Sequence, residues 1–209
     1  WNQECQDATD LAVVEEPYES TIGCAFPISD THTVVNAGFA ERNPTVIQFL
    51  TNYFVESKLL AETEASKTAD IEWVDVAIGF LRSNEDIWTA WITDDNSAEI
   101  IANVKEQLAL EEATAVAAPV ATAAPVVEES TEVIAFHDAQ WGSNWVHLAI
   151  ARYILENGYG RETTQVQGST GTMKLTLVEG DVHVNMETWR MNIPVWYEEH
   201  TASGALIDL

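Results

Sequence analysis

Two segments of this 209-residue chain place a tryptophan where a strand should end and a helix should begin. In the first, the apolar run 133–137 precedes Trp141, and apolar residues at helical spacing follow it as far as Asn157. In the second, apolar and polar residues alternate over 182–187 and predict a strand that ends beside Trp189. Open α/β sheets present ligand-binding residues at the carboxyl ends of their strands, so the pattern predicts an α/β fold with a site at both tryptophans.

The remaining periodicity predicts further strands and helices of one mixed sheet with helices on both faces. Strands are expected near 21–26, 32–36, 133–137, 163–167 and 182–187. Helices are expected from Pro44 to about residue 54, with Asn43 as a plausible N-cap, and over 71–81, 83–91 and 97–110.

Paired tryptophans at strand ends are suited to holding a cation. An indole face attracts a desolvated cation by about 2 kcal/mol or more, and quaternary ammonium cages use this attraction. Trp141 and Trp189 are therefore candidate cage walls, with ordinary packing as the alternative. Glu187 would complement an ammonium group, unless the alternation of the strand points it elsewhere.

The residues around these tryptophans resemble a known family. The run 143–159, followed by the pattern from Met173 through Gly180 to Trp189, is similar to the first lobe of ABC-transporter substrate-binding proteins for glycine betaine, proline betaine and choline. The resemblance implies a type II periplasmic-binding-protein fold in which Trp141 and Trp189 are two walls of an aromatic box. It also implies noncovalent binding, an extracytoplasmic location, an ABC permease in the membrane as partner, and no cofactor or metal.

The first half of the chain resembles the far end of the same family. Residues 19–36 and the helix after Pro44 are similar to its strand, crossover and helix near the carboxyl terminus, and 86–91 to its terminal tryptophan-containing helix. The halves therefore stand in reversed order, and the family's second lobe has no counterpart. The resemblance implies a single lobe, circularly permuted, with 1–110 as its carboxyl-terminal-type half and 132–209 as its amino-terminal-type half.

Residues 111–131 connect the two halves. They are rich in Ala, Pro and Glu and show no amphipathic period, which predicts an extended or disordered linker. The alternative is a plain tether between two small domains, which is disfavoured because neither half alone looks able to close a core.

Three further residues are candidates for holding the other end of a ligand. Ser143 and Asn144 stand at the predicted start of a helix, where free backbone N–H groups accept carboxylates, although both are equally good helix caps. His32 lies in the segment that faces the cleft in the family, and the alternative is a structural histidine.

The net charge restricts the partners. The chain has 34 acidic against 9 basic residues, a formal net charge of −25, which repels nucleic acid phosphates and anionic lipids and weakly favours cationic ligands.

The two cysteines bear on the compartment. Cys5 and Cys24 flank a turn-rich stretch and fit one disulfide of an exported protein, with two buried thiols in a reducing compartment as the alternative.

No local enzyme signature is present in the sequence, since it lacks a His-Glu-x-x-His motif, a nucleophile elbow and a phosphate loop. The predicted function is binding of a quaternary ammonium osmolyte for an ABC importer. One alternative is an isolated or engineered permuted half-lobe with an incomplete site, acting as a scaffold or forming a homodimer through its uncovered cleft face. Another is a sensor or interaction module built on the same lobe.

Overall fold

The computed structural model describes residues 31–114 and 131–209. Within these residues, one five-stranded sheet comprises β1 (Thr31–Asn36), β2 (Ile134–Asp138), β3 (Thr163–Gln167), β4 (Val184–Trp189) and β5 (Leu206–Asp208). Its order is β3-β2-β4-β1-β5. β2 runs parallel to β3 and β4, whereas β1 runs antiparallel to β4 and β5. The predicted α/β class with a mixed sheet is therefore confirmed.

Helices connect and cover these strands. They are α1 (Ala37–Arg42), α2 (Pro44–Asn52), α3 (Ser57–Ala65), α4 (Trp73–Ser83), α5 (Glu85–Thr89), α6 (Ser97–Thr114), α7 (Gly142–Asn157), α8 (Thr170–Glu179) and α9 (Pro194–Ala202), with a short 3₁₀ helix at Arg190–Asn192. None of the helices in the described ranges combines the length and apolar composition needed to cross a membrane.

The sheet separates two hydrophobic cores. Val35 belongs to the larger core, which also contains buried residues of α2, α4 and α7. Val34 belongs to a smaller core together with Leu177 of α8 and Trp196 of α9. Because neighbouring residues of a strand point to opposite faces, the two cores lie on opposite sides of the sheet. Helices therefore cover both faces, as predicted.

The turn that leads from α8 towards β4 depends on a glycine. Ser169 caps the start of α8 by accepting the Thr172 N–H, and Gly180 ends the helix in the left-handed region with φ of 85°. Glycine adopts this conformation without a Cβ penalty. The amide of Asn36 on β1 packs against this glycine and donates to the Leu177 carbonyl oxygen at 3.0 Å, which ties α8 to the sheet.

Several local predictions are wrong or incomplete. The side chain of Asn43 does not cap α2, because its amide donates to the Phe39 carbonyl oxygen and to Glu132. The sequence reading missed α1, α3, α8 and β5. α6 extends to Thr114, four residues into the predicted linker 111–131. The predicted strand 21–26, the pair Cys5 and Cys24, and residues 115–130 lie outside the described residues.

A buried polar network joins residues from the two halves of the sequence. Asn43, which has no exposed surface, accepts a hydrogen bond from Arg161 at 2.7 Å and donates to Glu132 at 3.3 Å. Arg42 binds the same Glu132 carboxylate at 3.0 Å. Because β1 also pairs with β4 and β5, the two halves contribute to one sheet.

Replacing Asn43 tests how much this network contributes. We expect Asn43→Ala to lower the free energy of unfolding by about 1–3 kcal/mol, since it removes partners from buried polar groups. Thr51→Ala is the matched control, because the Thr51 hydroxyl is on the exposed side of α2 and bonds only within it. The control should change stability by about 0.5 kcal/mol or less in chemical denaturation. Equal effects of the two variants would contradict a joining role for Asn43.

Candidate functional site

A cavity of about 410 Å³ opens at the carboxyl ends of β2 and β4. These strands are parallel neighbours, so their carboxyl ends meet at one edge of the sheet, where open α/β sheets bind ligands. The cavity is lined by His137, Trp141, Ser143, Thr170, Met173, Asn185, Glu187, Thr188, Trp189, Asn192 and Ile193. Its size lies in the range of small-molecule sites, about 300–1,000 Å³.

The carboxylate of Glu187 is the centre of this cavity's hydrogen bonding. The indole N–H of Trp141 donates to one carboxylate oxygen at 2.8 Å, and the indole N–H of Trp189 donates to the other at 3.2 Å. The hydroxyl of Ser143 lies 3.0 Å from both oxygens. An indole N–H can only donate, so both oxygens of Glu187 act as acceptors, which is the pattern of an ionised carboxylate.

This carboxylate is held at an energetic cost. Burial raises the pKa of Glu187, and the charge of Glu64 raises it further, while the hydrogen bonds from Trp141, Ser143 and Trp189 lower it. Because the pKa is raised on balance, ionising Glu187 costs folding free energy, and this cost disappears as the pH falls through the raised pKa. Buried charges that a fold keeps at such a cost are typical of functional sites.

Both tryptophan rings remain partly accessible. Trp141 is 38% exposed and Trp189 is 37% exposed, although each indole N–H is bound to Glu187. The polar edge of each ring is therefore fixed, and the remaining ring surface is available to the cavity. Two indoles held in this way form a rigid aromatic wall beside a negative charge, an arrangement that attracts cations.

The loop between β2 and α7 fixes Trp141 in place. Asp138 accepts a hydrogen bond from the Gln140 N–H at 2.9 Å and another from the Trp145 indole at 2.8 Å. Asn144 accepts from the Ala139 N–H at 3.0 Å. Gln140 adopts φ of 67°, a left-handed conformation that costs a non-glycine residue about 1–3 kcal/mol. Such strain persists only where surrounding contacts over-determine the loop, as these hydrogen bonds do.

Two carboxylates already lie at the amino end of α7. The side chain of Glu64 packs so closely on Gly142 that a Cβ at this glycine would lie 1.8 Å from a Glu64 oxygen. Glu187 reaches the same helix end, because its carboxylate accepts a hydrogen bond from the hydroxyl of Ser143, the residue after Gly142. The positive end of the helix dipole stabilises negative charge here. An anionic ligand group at the same helix end would meet both carboxylates.

The structure brings together four of the six residues predicted to bind the ligand: Trp141, Ser143, Glu187 and Trp189. Asn144 follows Ser143 on α7, but it is fully buried and bonds to the loop rather than lining the cavity. His32 lies on β1, where its ring binds Asp208 at 3.0 Å and packs against Tyr197. His32 does not line the cavity.

Sequence reasoning missed Asn185, Thr188 and His137. Asn185 precedes Glu187 by two residues on β4, and residues two apart share a face of a strand, so the alternation that places Glu187 also places Asn185. His137 is the penultimate residue of β2 and is buried, and burial lowers its pKa despite the neighbouring Asp138. It is therefore neutral at pH 7.

Comparison with known proteins adds no assignment, because no protein-family model and no curated protein matches this chain. Within the described ranges, no group of three or more His, Cys, Asp or Glu side chains is arranged to hold a metal ion.

The link between Glu187 and the two indoles can be tested by pH titration of the indole N–H signals in ¹⁵N–¹H NMR spectra. Because the pKa of Glu187 is raised, we expect it to take up a proton at higher pH than an exposed glutamate. The signals of Trp141 and Trp189 should then move together on acidification, since a protonated carboxyl is a weaker acceptor. The nearby titratable groups are Glu64 and His137.

Glu187→Gln is the matched variant, in which both signals should be shifted already at pH 7 and should lose their shared titration. Trp88 serves as internal control, because its indole donates to the Leu81 carbonyl oxygen, which does not titrate. Independent midpoints for Trp141 and Trp189, or unchanged signals in the variant, would show that Glu187 does not hold the two rings.

Proposed function

We propose that this chain binds a quaternary ammonium osmolyte of the glycine betaine or choline type and supplies it to an ABC importer. The observation that carries the proposal is the convergence of two indole N–H groups on one buried carboxylate. This contact fixes Trp141 and Trp189 as walls of the same cavity. Binding is noncovalent, and no cofactor is required.

The chemistry of the cavity matches a methylated ammonium ion. The surface of such an ion consists of apolar methyl groups. Its nitrogen is positively charged but has no N–H, so it cannot donate a hydrogen bond. Exposed indole surface provides apolar contact and a negative ring face, and Glu187 provides a full negative charge. Both attractions strengthen where water is excluded, because the effective dielectric constant is lower there.

The strand order supports the permuted single-lobe fold in this proposal. If β2 is counted as the first strand, β3 is the second and β4 the third, so these strands lie in the order second, first, third. β1 follows them in the sheet, antiparallel to β4 on one side and to β5 on the other. An antiparallel strand in this place is expected of a segment that returns to the lobe after an excursion into a second lobe. In this chain that strand comes from the first half of the sequence, which supports the proposed reversed order of the two halves.

A second candidate function is that of a half-lobe with an incomplete site, acting as a scaffold or self-associating module. It is favoured by exposed apolar side chains in the segment that also contributes Asn192 and Ile193 to the cavity, since Met191 and Val195 are 61% and 77% exposed. Association of two copies through this face would cover them. The net charge of −25 opposes it through repulsion at low salt. A sensor module on the same lobe would use the same cavity.

Calorimetric titration with choline and glycine betaine tests the proposed function. We expect Trp141→Ala and Trp189→Ala each to weaken binding by about tenfold or more, because each removes a cation–π contact. Trp73→Ala is the matched control, since Trp73 is a half-buried indole that packs on Trp145 away from this cavity. Failure of the folded wild-type protein to bind either compound would favour the half-lobe with an incomplete site.

A further inference from the structure

Asn185 lines the cavity and carries a hydrogen-bond acceptor that the described residues leave unused. The residue is only 2% exposed, and it lies on β4 two residues before Glu187, on the same face of the strand. Its amide N–H donates to the Thr188 hydroxyl at 2.7 Å. Its side-chain oxygen is buried and has no hydrogen-bond partner within the described part of the chain. A buried carbonyl oxygen without a partner is uncommon and calls for a donor from a water or a ligand.

Among the described residues, the lining of the same cavity carries no positive charge. None of the described residues that line it is Lys or Arg, and its histidine, His137, is neutral at pH 7 because burial lowers its pKa. Arg190 directly follows Trp189 in sequence, but its side chain interacts with the Tyr197 hydroxyl. The cavity therefore combines one carboxylate, neutral donors and an unpaired acceptor.

We infer that this site selects a quaternary ammonium alcohol of the choline type over a zwitterion of the glycine betaine type, with Asn185 as the residue that determines specificity. The inference rests on the proposed function and names its substrate class. The trimethylammonium group lies against Trp141 and Trp189 near Glu187, and the ligand hydroxyl donates to the Asn185 oxygen.

The electrostatics of the two ligand classes differ at this point. A choline-type ligand carries one positive charge, so it neutralises Glu187, and its hydroxyl supplies the donor that Asn185 lacks. A betaine-type ligand adds a carboxylate that accepts but never donates, and that carboxylate finds no cation among the lining residues that the structure describes. Discrimination by a hydrogen-bonded hydroxyl is strong, because a mismatched ligand leaves buried polar groups unpaired.

Calorimetry on the full chain with three ligands tests this inference. The ligands are choline, glycine betaine and tetramethylammonium, which has the same charge as choline but no hydroxyl. We expect choline to bind at least about tenfold more tightly than glycine betaine. Asn185→Leu should weaken choline binding at least about tenfold more than it weakens tetramethylammonium binding. Its circular dichroism spectrum shows whether the variant folds.

Asn185→Asp is the second variant, because it keeps an acceptor at the same position and adds negative charge. It should retain choline binding and weaken glycine betaine binding further. Glycine betaine binding as tightly as choline would overturn the inference. An equal loss of choline and tetramethylammonium in Asn185→Leu, with the variant folded, would also overturn it. Absence of binding by all three ligands would instead overturn the proposed function.

Discussion

The candidate site depends on one ionised side chain, Glu187, which accepts hydrogen bonds from the indoles of both Trp141 and Trp189. Without this carboxylate, two large rings from separate strand ends would have no common anchor. With it, their polar edges are fixed and their remaining surface lines a cavity that also contains a full negative charge. Glu187 is therefore both the positioning residue for the aromatic walls and the counter-charge for a cation.

The sheet topology brings these groups together across long distances in sequence. Trp141 follows β2 and Trp189 ends β4, and the parallel pairing of these strands brings their carboxyl ends to one edge. On its other side β4 pairs with β1, which comes from the first half of the chain. The strand that carries Glu187 is therefore paired on both sides, with β2 from the second half of the chain and with β1 from the first.

Much of the site could be predicted from the sequence, because strand period and strand ends are local patterns. Trp141, Trp189 and Glu187 follow directly from them. Asn185 follows from the same alternation but carries no motif of its own. His32 could not be placed, because side-chain direction at a strand end depends on tertiary neighbours. β1 puts His32 opposite Thr188 at the correct edge, yet its ring is bound by Asp208 on β5, a strand that the periodicity did not predict. β5 is short and forms by pairing with the distant β1. Asn43 does not cap α2, because its side chain binds distant residues such as Arg161. Contacts between distant segments therefore set both features.

The most direct measurement of cation binding at this site is the nuclear Overhauser effect between the methyl protons of bound choline and the aromatic protons of the protein. Of the eight tryptophans in the chain, we expect Trp141 and Trp189 to show these effects, and both together. The effects should disappear in Glu187→Gln if the carboxylate holds the rings and the cation. Effects confined to other tryptophans, such as the pair Trp73 and Trp145, would contradict the assignment of the site.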